Sequence, residues 1–288
     1  MDNRIMYGGK QFSFQVDSEI VQTAYNEMDN YLIEYDDDNR SSDLCAIYFS
    51  SHDIYFPNNE EQFRKRIIEK NFYEWYRLRI PNAHKHIFVR DVFKQWYFMG
   101  INAKINTPEK FLSFLQNEAK GYKTICVGSS AGGYAAILYG CQLKSEKVYA
   151  FCSRFEFSKR IKESNERRDP LLIRNVVAKK YLDLATAVDF NSADVYYFQS
   201  INSKLDKQQG NHINDIKAIH KIRFCTSHHG IPFLKVAIPK VFAMSKAQLN
   251  KFETKINSPI LFSIGRVGIC HAIIGYYQQY KASKSKRK

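Results

Sequence analysis

The stretch YKTICVGSSAGGYAAILY, from Tyr122 to Tyr139, decides how the rest of the chain is interpreted. Its first part, Thr124 to Val127, is a β-branched and apolar run typical of a short buried strand. A turn of five small residues follows, and after it comes a small, apolar run that favours a helix. The predicted order is therefore strand, tight turn and helix, with Ser130 at the centre of a G-x-S-x-G frame.

This frame is typical of a nucleophile elbow, in which a strained turn lifts a serine hydroxyl out of a sheet. Gly128 and Gly132 would let neighbouring backbone pass without a Cβ clash. Ser129 does not fit, because Val127 stands where the first glycine is needed. The alternatives are a simple turn that joins a strand to a helix and a phosphate-binding loop. A phosphate-binding loop would need Gly-Lys-Ser/Thr or G-x-G-x-x-G, and neither motif is present. We therefore predict that Ser130 is a nucleophile.

Composition predicts a packed globular protein with a basic surface, which is either simply solvated, the more common case, or binds an anionic partner. The chain has 288 residues, of which 44% are hydrophobic and 15% aromatic, and its formal net charge is +14. The last eight residues, KASKSKRK, carry five positive charges and are expected to form a basic flexible tail at 281–288. A basic surface favours an anionic partner such as an acidic glycan or a lipid surface. Nucleic acid is not expected, since no nucleic-acid module is recognisable.

The cysteines and the start of the chain predict a reduced, cytoplasmic protein. Six cysteines are scattered without any C-x-x-C spacing, and four of them sit in apolar, strand-like runs. The start, MDNRIMYGGK, is polar and has no secretory apolar region. No apolar run approaches the ~18 residues of a membrane span, so no transmembrane segment is expected.

Strand-like runs alternate with helical patterns along the chain, which predicts an α/β fold with a mainly parallel central sheet flanked by helices. The predicted strands outside the Ser130 stretch are Leu44 to Phe49, His86 to Asp91, Lys147 to Cys152, Val195 to Phe198 and Ile222 to Cys225. A short helix is expected to reach His220. We expect one domain over 1–280.

Two segments are less regular. Residues 154–192 are charge-rich with helical stretches, and they are predicted to form a helical insertion, either a lid or a peripheral element. The apolar, glycine-containing stretch from Pro259 to Tyr280 is left without an assignment.

A serine nucleophile needs a base to take its proton and an acid to orient that base. In α/β-hydrolases these residues follow in the order Ser, Asp/Glu, His. Here Asp206 follows one predicted strand, in a polar loop from Asn202 to Asn211, and His228 and His229 follow the next. Because the carboxyl ends of parallel strands meet at one edge of a sheet, all of them are expected near Ser130.

Alternatives remain open for the acid and the base. Asp206 is held slightly ahead of Asp215, which is expected on the following helix. His229 precedes Gly-Ile-Pro at a predicted helix start and is preferred as the base, with His228 as the alternative that spacing does not exclude. His271 is a third candidate, in an apolar context where a packed histidine is more common.

The oxyanion of an acyl-transfer reaction needs two backbone donors. The N–H of Ala131, directly after the nucleophile, is one predicted donor, and Ser50 or Ser51 after the first core strand is the other. No cofactor is predicted. No metal site is predicted either, because His84 and His86 lack further metal ligands nearby in the sequence.

Three segments resemble a branch of bacterial α/β-hydrolase-fold proteins whose members commonly occur with surface-polysaccharide biosynthesis and glycosyltransferase modules. They are Arg90-Asp91 with Trp96-Tyr97, then Val127 to Ala136, then Ala150 to Ser153. The resemblance covers roughly residues 44 to 250. It implies an α/β-hydrolase-like fold, with Ser130 as nucleophile, His229 as base and Asp206 as acid.

The resulting prediction is a serine hydrolase or acyltransferase that acts on a small-molecule or glycan ester, for example an acyl group on a bacterial surface glycan. Aromatic residues at Tyr55, Phe56, Trp96 and Tyr97 would either stack on sugar rings or pack in the core. The alternative is a catalytically inactive α/β-hydrolase-fold module for binding or assembly, for instance on an anionic polymer.

Overall fold

The computed structural model describes residues 6–7, 10–163, 165, 169–174 and 178–285. Its strands are β1 Met6–Tyr7, β2 Lys10–Gln11, β3 Tyr31–Tyr35, β4 Leu44–Phe49, β5 Lys85–Val89, β6 Lys123–Ser129, β7 Lys147–Phe151, β8 Asp194–Ser200, β9 Ile219–Phe224 and β10 Ile256–Asn257. Its α-helices are α1 Phe14–Asp17, α2 Glu19–Glu27, α3 Glu60–Phe63, α4 Pro108–Glu118, α5 Ala131–Gln142, α6 Ser158–Glu163, α7 Pro170–Ile173, α8 Leu184–Ala187, α9 Lys204–His212, α10 Ile238–Phe242, α11 Lys246–Asn250, α12 Pro259–Val267 and α13 Ile269–Ser285. Single 3-10 turns lie at Asp37–Asn39, His52–Tyr55, Lys179–Tyr181, Phe190–Ser192 and Lys235–Ala237, and a π-helical turn lies at Arg64–Glu69.

The central sheet has eight strands in the order β10-β9-β8-β7-β6-β4-β5-β3. Strand β3 is antiparallel to β5, and every other neighbouring pair is parallel. The strands β4, β6, β7, β8 and β9 therefore end at one common edge, which collects the loops that follow them. The prediction of a mainly parallel central sheet flanked by helices is confirmed.

Both faces of the sheet are covered by apolar layers. Along β4, Cys45, Ile47 and Phe49 pack into one cluster with α4 and α5. Ala46 and Tyr48, which alternate with them, pack into the opposite cluster with α10 and α12. This alternation in a continuously apolar strand is the pattern expected where helices cover both faces of a parallel sheet.

The strand–turn–helix order predicted around Ser130 is present as β6, a tight turn and α5. The glycines of the turn have the steric role that the sequence predicts. A Cβ on Gly128 would lie 2.0 Å from the Gly132 carbonyl oxygen, and a Cβ on Gly132 would lie 2.2 Å from that of Phe49. Only glycine at both positions lets α5 approach the sheet this closely.

The insertion between β7 and β8 contains the short helices α6, α7 and α8 and two 3-10 turns, so the helical character predicted for 154–192 is confirmed. Phe155 and Phe157 at its start are fully buried in the core beside α5. The Tyr134 hydroxyl of α5 donates a hydrogen bond to the Tyr181 carbonyl of the insertion at 2.7 Å. The described part of the insertion is therefore packed onto the body.

Two local predictions are wrong. The segment expected to be a polar loop around Asp206 is the helix α9, which begins after the N-cap Ser203. Its few apolar side chains conceal the helical period. The helix expected to reach His220 is absent from that stretch, because His220 lies within strand β9.

The C-terminal stretch without a sequence assignment forms α12 and α13. Helix α13 continues through the start of the predicted basic tail as far as Ser285, and residues 286–288 lie outside the described residues. Within the described chain, no helix is both long and apolar enough to cross a membrane.

Candidate active site

Ser130 occupies a strained turn at the carboxyl end of β6. Its backbone has φ 54° and ψ −113°, a conformation that non-glycine residues rarely adopt. The Ser130 N–H donates to the Phe151 carbonyl at 2.9 Å, which ties the turn to the end of β7. The turn leaves the Ser130 side chain partly exposed at the first turn of α5. Such strain costs about 1–3 kcal/mol and is typical of functional sites.

A chain of hydrogen bonds runs from Ser130 through His229 to Asp206. His229 Nε2 lies 2.9 Å from Ser130 Oγ, and His229 Nδ1 lies 2.9 Å from Asp206 Oδ1. Ionised Asp206 only accepts, so His229 carries its proton on Nδ1, and Nε2 is left to accept from the serine hydroxyl. The Asp206 side chain is fully buried, whereas the His229 side chain is 38% exposed. The structure thus brings together these three predicted residues from β6, α9 and the segment after β9.

Asp206 is fixed by the start of α9. The Ser203 hydroxyl caps the helix by accepting from the Asp206 N–H at 3.3 Å. The cap directs the first turn toward the edge of the sheet where β6 and β9 end. Within the described chain, no hydrogen bond reaches the second carboxylate oxygen, Oδ2, which is buried.

The alternative acids and bases do not enter this chain. Asp215 is exposed in the turn before β9, so it lies at the opposite edge of the sheet from Ser130. His271 is exposed on α13. The His228 carbonyl accepts a hydrogen bond from the Ser200 hydroxyl at 2.6 Å. Desolvation, together with the charges of His229 and Lys235, lowers the pKa of His228.

The predicted oxyanion donors differ in whether their N–H groups are already hydrogen-bonded within the described chain. Among the described residues, none accepts a hydrogen bond from the Ala131 N–H, which opens α5. By contrast, the Ser50 N–H donates to the Val89 carbonyl at 3.1 Å. The Ser51 N–H donates to Glu74 Oε2 at 2.7 Å, and its hydroxyl donates to Oε1 at 2.9 Å. Ser51 could serve as a second donor only after Glu74 moves away.

A small cleft that encloses about 10 Å³ and is partly open to solvent adjoins Ser130 and His229. The other residues that line it are Trp96, Cys152, Ser153, Arg154, Leu205 and Gln209. Sequence reasoning assigned no site role to Cys152, Arg154 or Gln209. The signal for the first two was available, because they directly follow β7 at the same edge of the sheet.

Two of these residues define the polarity of the cleft. The Arg154 guanidinium lies 5.5 Å from the centre of the Trp96 ring and donates to the Glu156 carbonyl at 3.3 Å, so it is held at one wall of the cleft. Gln209 is held in place because its Oε1 accepts from the Phe155 and Glu156 N–H groups at 2.6 and 3.0 Å.

The loop that carries Trp96 is organised by a buried carboxylate. Asp91 Oδ2 accepts from the N–H groups of Gln95 and Tyr97 at 2.6 and 2.9 Å. Burial raises the pKa of Asp91 to about 6, although these hydrogen bonds oppose the shift. Burial lowers the pKa of the nearby Lys94 amine to about 8.

Of the four aromatic side chains named from the sequence, only Trp96 reaches the cleft. Tyr55 and Tyr97 are buried in the core, and Phe56 is exposed. Core packing is therefore the role of Tyr55 and Tyr97, and Trp96 also packs in the core, with 4% of its surface exposed where it lines the cleft.

Cys152, Asp206 and His229 each offer one atom that could bind a metal, and these atoms lie within 4.8 Å of one another. Burial raises the pKa of the Cys152 thiol to about 12, which disfavours the thiolate that a metal requires. Both ring nitrogens of His229 already have hydrogen-bond partners. The donor set therefore suits proton transfer better than metal binding.

Comparisons with known proteins find similarity only in structure. No protein-family model matches the chain, and no curated protein matches it in sequence. A capsule O-acetyltransferase of Neisseria meningitidis serogroup A has a TM-score of 0.45 and 13% identity, over 68% of this chain and 82% of that one. A protein of unknown function from Staphylococcus aureus subsp. aureus Mu50 has a TM-score of 0.46 and 12% identity, over 77% and 94%. The Staphylococcus aureus fluorophosphonate-binding serine hydrolase FphF has a TM-score of 0.38 and 13% identity, over 62% and 75%. Identities this low bear on the fold alone.

Proposed function

We propose that the protein is a serine hydrolase or acyltransferase that acts on a carboxylic ester through Ser130, His229 and Asp206. The observation that carries the proposal is the continuous chain of two 2.9 Å contacts from Ser130 Oγ to the buried Asp206 carboxylate. A serine hydroxyl becomes a nucleophile when an oriented base accepts its proton, and this chain supplies the base and its orientation.

In the first half-reaction, His229 Nε2 takes the proton of Ser130 while Oγ attacks the ester carbonyl carbon. The N–H of Ala131 donates to the oxyanion that forms. The tetrahedral intermediate collapses when the ester C–O bond breaks, and His229 returns its proton to the leaving alcohol. Asp206 holds the Nδ1–H tautomer and stabilises the imidazolium between these steps. The product is an acyl ester on Ser130.

The second half-reaction determines the class of enzyme. His229 would deprotonate either water, which gives an esterase, or a sugar hydroxyl, which gives an acyltransferase. Both routes share the acyl-Ser130 intermediate and differ only in the acceptor. We extend the proposal to an acyl group on a bacterial surface glycan, as the resemblance of the sequence implies.

Backbone strain around the cleft supports a functional role for it. Trp96, Ser130 and Cys152 have φ values of 61°, 54° and 44°, all in the left-handed region that favours glycine. Three strained non-glycine residues in one cleft are what a site held in a costly geometry would have. The cleft encloses only about 10 Å³, far below the ~300 Å³ of a typical pocket for a drug-sized ligand, which favours a short acyl group.

Hydrolysis of p-nitrophenyl esters tests this proposal. We expect the wild type to release p-nitrophenol from the acetate ester faster than from the octanoate ester, and Ser130→Ala to release none above background. An added polysaccharide acceptor that gains the acyl group, detected by mass spectrometry, identifies an acyltransferase. Equal turnover by wild type and Ser130→Ala contradicts the proposal and favours a binding or assembly module that lacks catalysis.

A further inference from the structure

Large apolar side chains are exposed mainly at the C-terminal end of the chain. Fourteen are exposed among the described residues, and nine of these lie between Ile256 and Tyr280. We call these nine the C-terminal apolar surface: Ile256, Ile260, Leu261, Ile269, Ile273, Ile274, Tyr276, Tyr277 and Tyr280. Exposed apolar side chains concentrated in one segment mark a binding site more often than singly scattered ones do.

Helix α13 rests on the body along a narrow stripe. Ala272 and Gly275 are buried, and a Cβ on Gly275 would lie 2.6 Å from Val236 Cγ1. The Lys235 N–H donates to Gln279 Oε1 at 3.2 Å. Contact through small residues holds the helix close to the body and leaves its isoleucines outside. Ile273 is 63% exposed as a result.

The same segment is strongly basic. From Thr254 to Lys288 the sequence contains seven Lys and Arg residues and no Asp or Glu. Two of these basic residues, Lys255 and Arg266, precede α13, and the other five follow Tyr280. Along the sequence, the residues of the C-terminal apolar surface are therefore preceded and followed by basic residues, with no acid in the segment.

The combination of exposed apolar side chains and positive charge distinguishes between the partners that could cover this surface. A second copy of the chain would bring two such positive segments together, and like charges at an interface are unfavourable. An anionic lipid surface complements both features, because isoleucines insert below the headgroups while Lys and Arg contact the lipid charges. Tyr276, Tyr277 and Tyr280 are of the residue type that is enriched at the membrane–water interface.

We propose that the C-terminal apolar surface docks the protein on an anionic lipid bilayer, with α12 and α13 lying in the interface. The helices would be buried to a depth of about 5–10 Å and would not span the bilayer. The proposal is independent of the chemistry at Ser130, since none of its residues lies in the cleft.

Vesicle flotation with the full chain tests the proposal. The wild type is expected to float with phosphatidylcholine vesicles that contain phosphatidylglycerol, and to remain at the bottom with phosphatidylcholine alone. Replacing Ile273→Asn and Ile274→Asn together should weaken binding by about tenfold or more, because two inserted side chains are lost. Lys281→Glu should weaken it less, and added salt should weaken wild-type binding.

The matched control replaces two exposed isoleucines elsewhere, Ile68→Asn and Ile173→Asn, and should bind within about twofold of wild type. Thermal melting establishes that every variant is folded. No flotation of the wild type overturns the proposal, and so does equal flotation by the Ile273/Ile274 variant. A wild-type dimer that this variant dissociates, without vesicle binding, assigns the surface to a second copy instead.

Discussion

The carboxyl edge of the sheet buries polar side chains, whereas the C-terminal apolar surface exposes large apolar ones. At the edge, polar groups converge in the interior: Asp206 is fully buried, and Ser130 is held in a strained conformation. On the C-terminal apolar surface, large apolar side chains are exposed to solvent, and Ile273 is 63% exposed. Each arrangement costs free energy in the isolated protein, since buried charge and exposed apolar area are both unfavourable.

The contrast shows what each region requires from outside. At the edge, Ser130, His229 and Asp206 are already hydrogen-bonded to one another, so the edge needs only a small substrate to complete its chemistry. The C-terminal apolar surface has nothing within the described chain to cover it, so it requires an external partner. Substitutions in the two regions should accordingly affect different measurements: ester turnover for the edge and vesicle binding for the C-terminal apolar surface.

The largest effect is expected for Ser130→Ala. Removal of the hydroxyl leaves no atom to form the acyl ester, and ester turnover should fall by about 10⁴-fold or more. Ser129→Ala is the matched control, because it removes the neighbouring hydroxyl without breaking the hydrogen-bond chain. Steady-state hydrolysis of p-nitrophenyl acetate measures both variants. Similar losses in the two variants would show that the turn, and not the Ser130 hydroxyl, is what matters.

A somewhat smaller effect is expected for Asp206→Asn. The amide keeps the shape of the side chain but favours the wrong tautomer of His229, so turnover should fall by about 10³–10⁴-fold. His229→Gln should be at least as damaging, while His228→Gln should stay within about threefold of wild type because it lies outside the chain. If His228→Gln is the inactive variant instead, the assignment of the base is wrong.

The two regions also differ in how much of their structure the sequence predicts. Ser130, Asp206 and His229 could be named because strand ends in a parallel sheet share one edge, so chain order determines proximity. The helical setting of Asp206 was missed, since KLDKQQGNH has a single aliphatic side chain to reveal a helical period. The bond between Ser51 and Glu74 joins residues 23 positions apart, and no local pattern indicates it.

The C-terminal helices escaped assignment for a related reason. Periodicity predicts a helix when one face is apolar and the other polar. In α13 the buried stripe consists of small residues and the exposed faces carry isoleucine and tyrosine, so the apolar pattern does not mark the buried side. Because the exposed faces of α13 are apolar, the contrast between an apolar buried face and a polar exposed face is lost. That contrast is the pattern from which the helix would be predicted.

A moderate effect on stability is expected at Asp91, which organises the loop of the cleft. Its pKa is about 6 in the folded chain against 3.8 ordinarily. Between these values the folded chain holds a proton that the unfolded chain has released, so rising pH lowers the free energy of unfolding through this group. The loss should total about 2 kcal/mol between pH 4 and pH 7.

Urea unfolding of wild type and Asp91→Asn at both pH values isolates this contribution. The variant cannot titrate at position 91, so the stability of wild type relative to the variant should fall as the pH rises. A relative stability that stays constant, or that rises with pH, would show that Asp91 is ionised normally in the folded chain.

The smallest effect is expected for substitutions on the C-terminal apolar surface. Ile273→Asn with Ile274→Asn should change the free energy of unfolding by no more than about 0.5 kcal/mol per site, because both side chains are already exposed. Ester turnover should remain within about twofold of wild type, since neither residue lines the cleft. A large loss of stability in urea unfolding would mean that these residues pack against the body.

The central claim is that the Ser130 hydroxyl is activated by His229, and covalent labelling tests it most directly. A fluorophosphonate probe reacts with an activated serine, loses fluoride and leaves a phosphonate ester that peptide mass spectrometry can locate. We predict a single adduct on Ser130 in the wild type and in Ser129→Ala, and none in Ser130→Ala or His229→Gln. Folded wild-type protein that takes up no label, or label that persists in Ser130→Ala, would contradict the account.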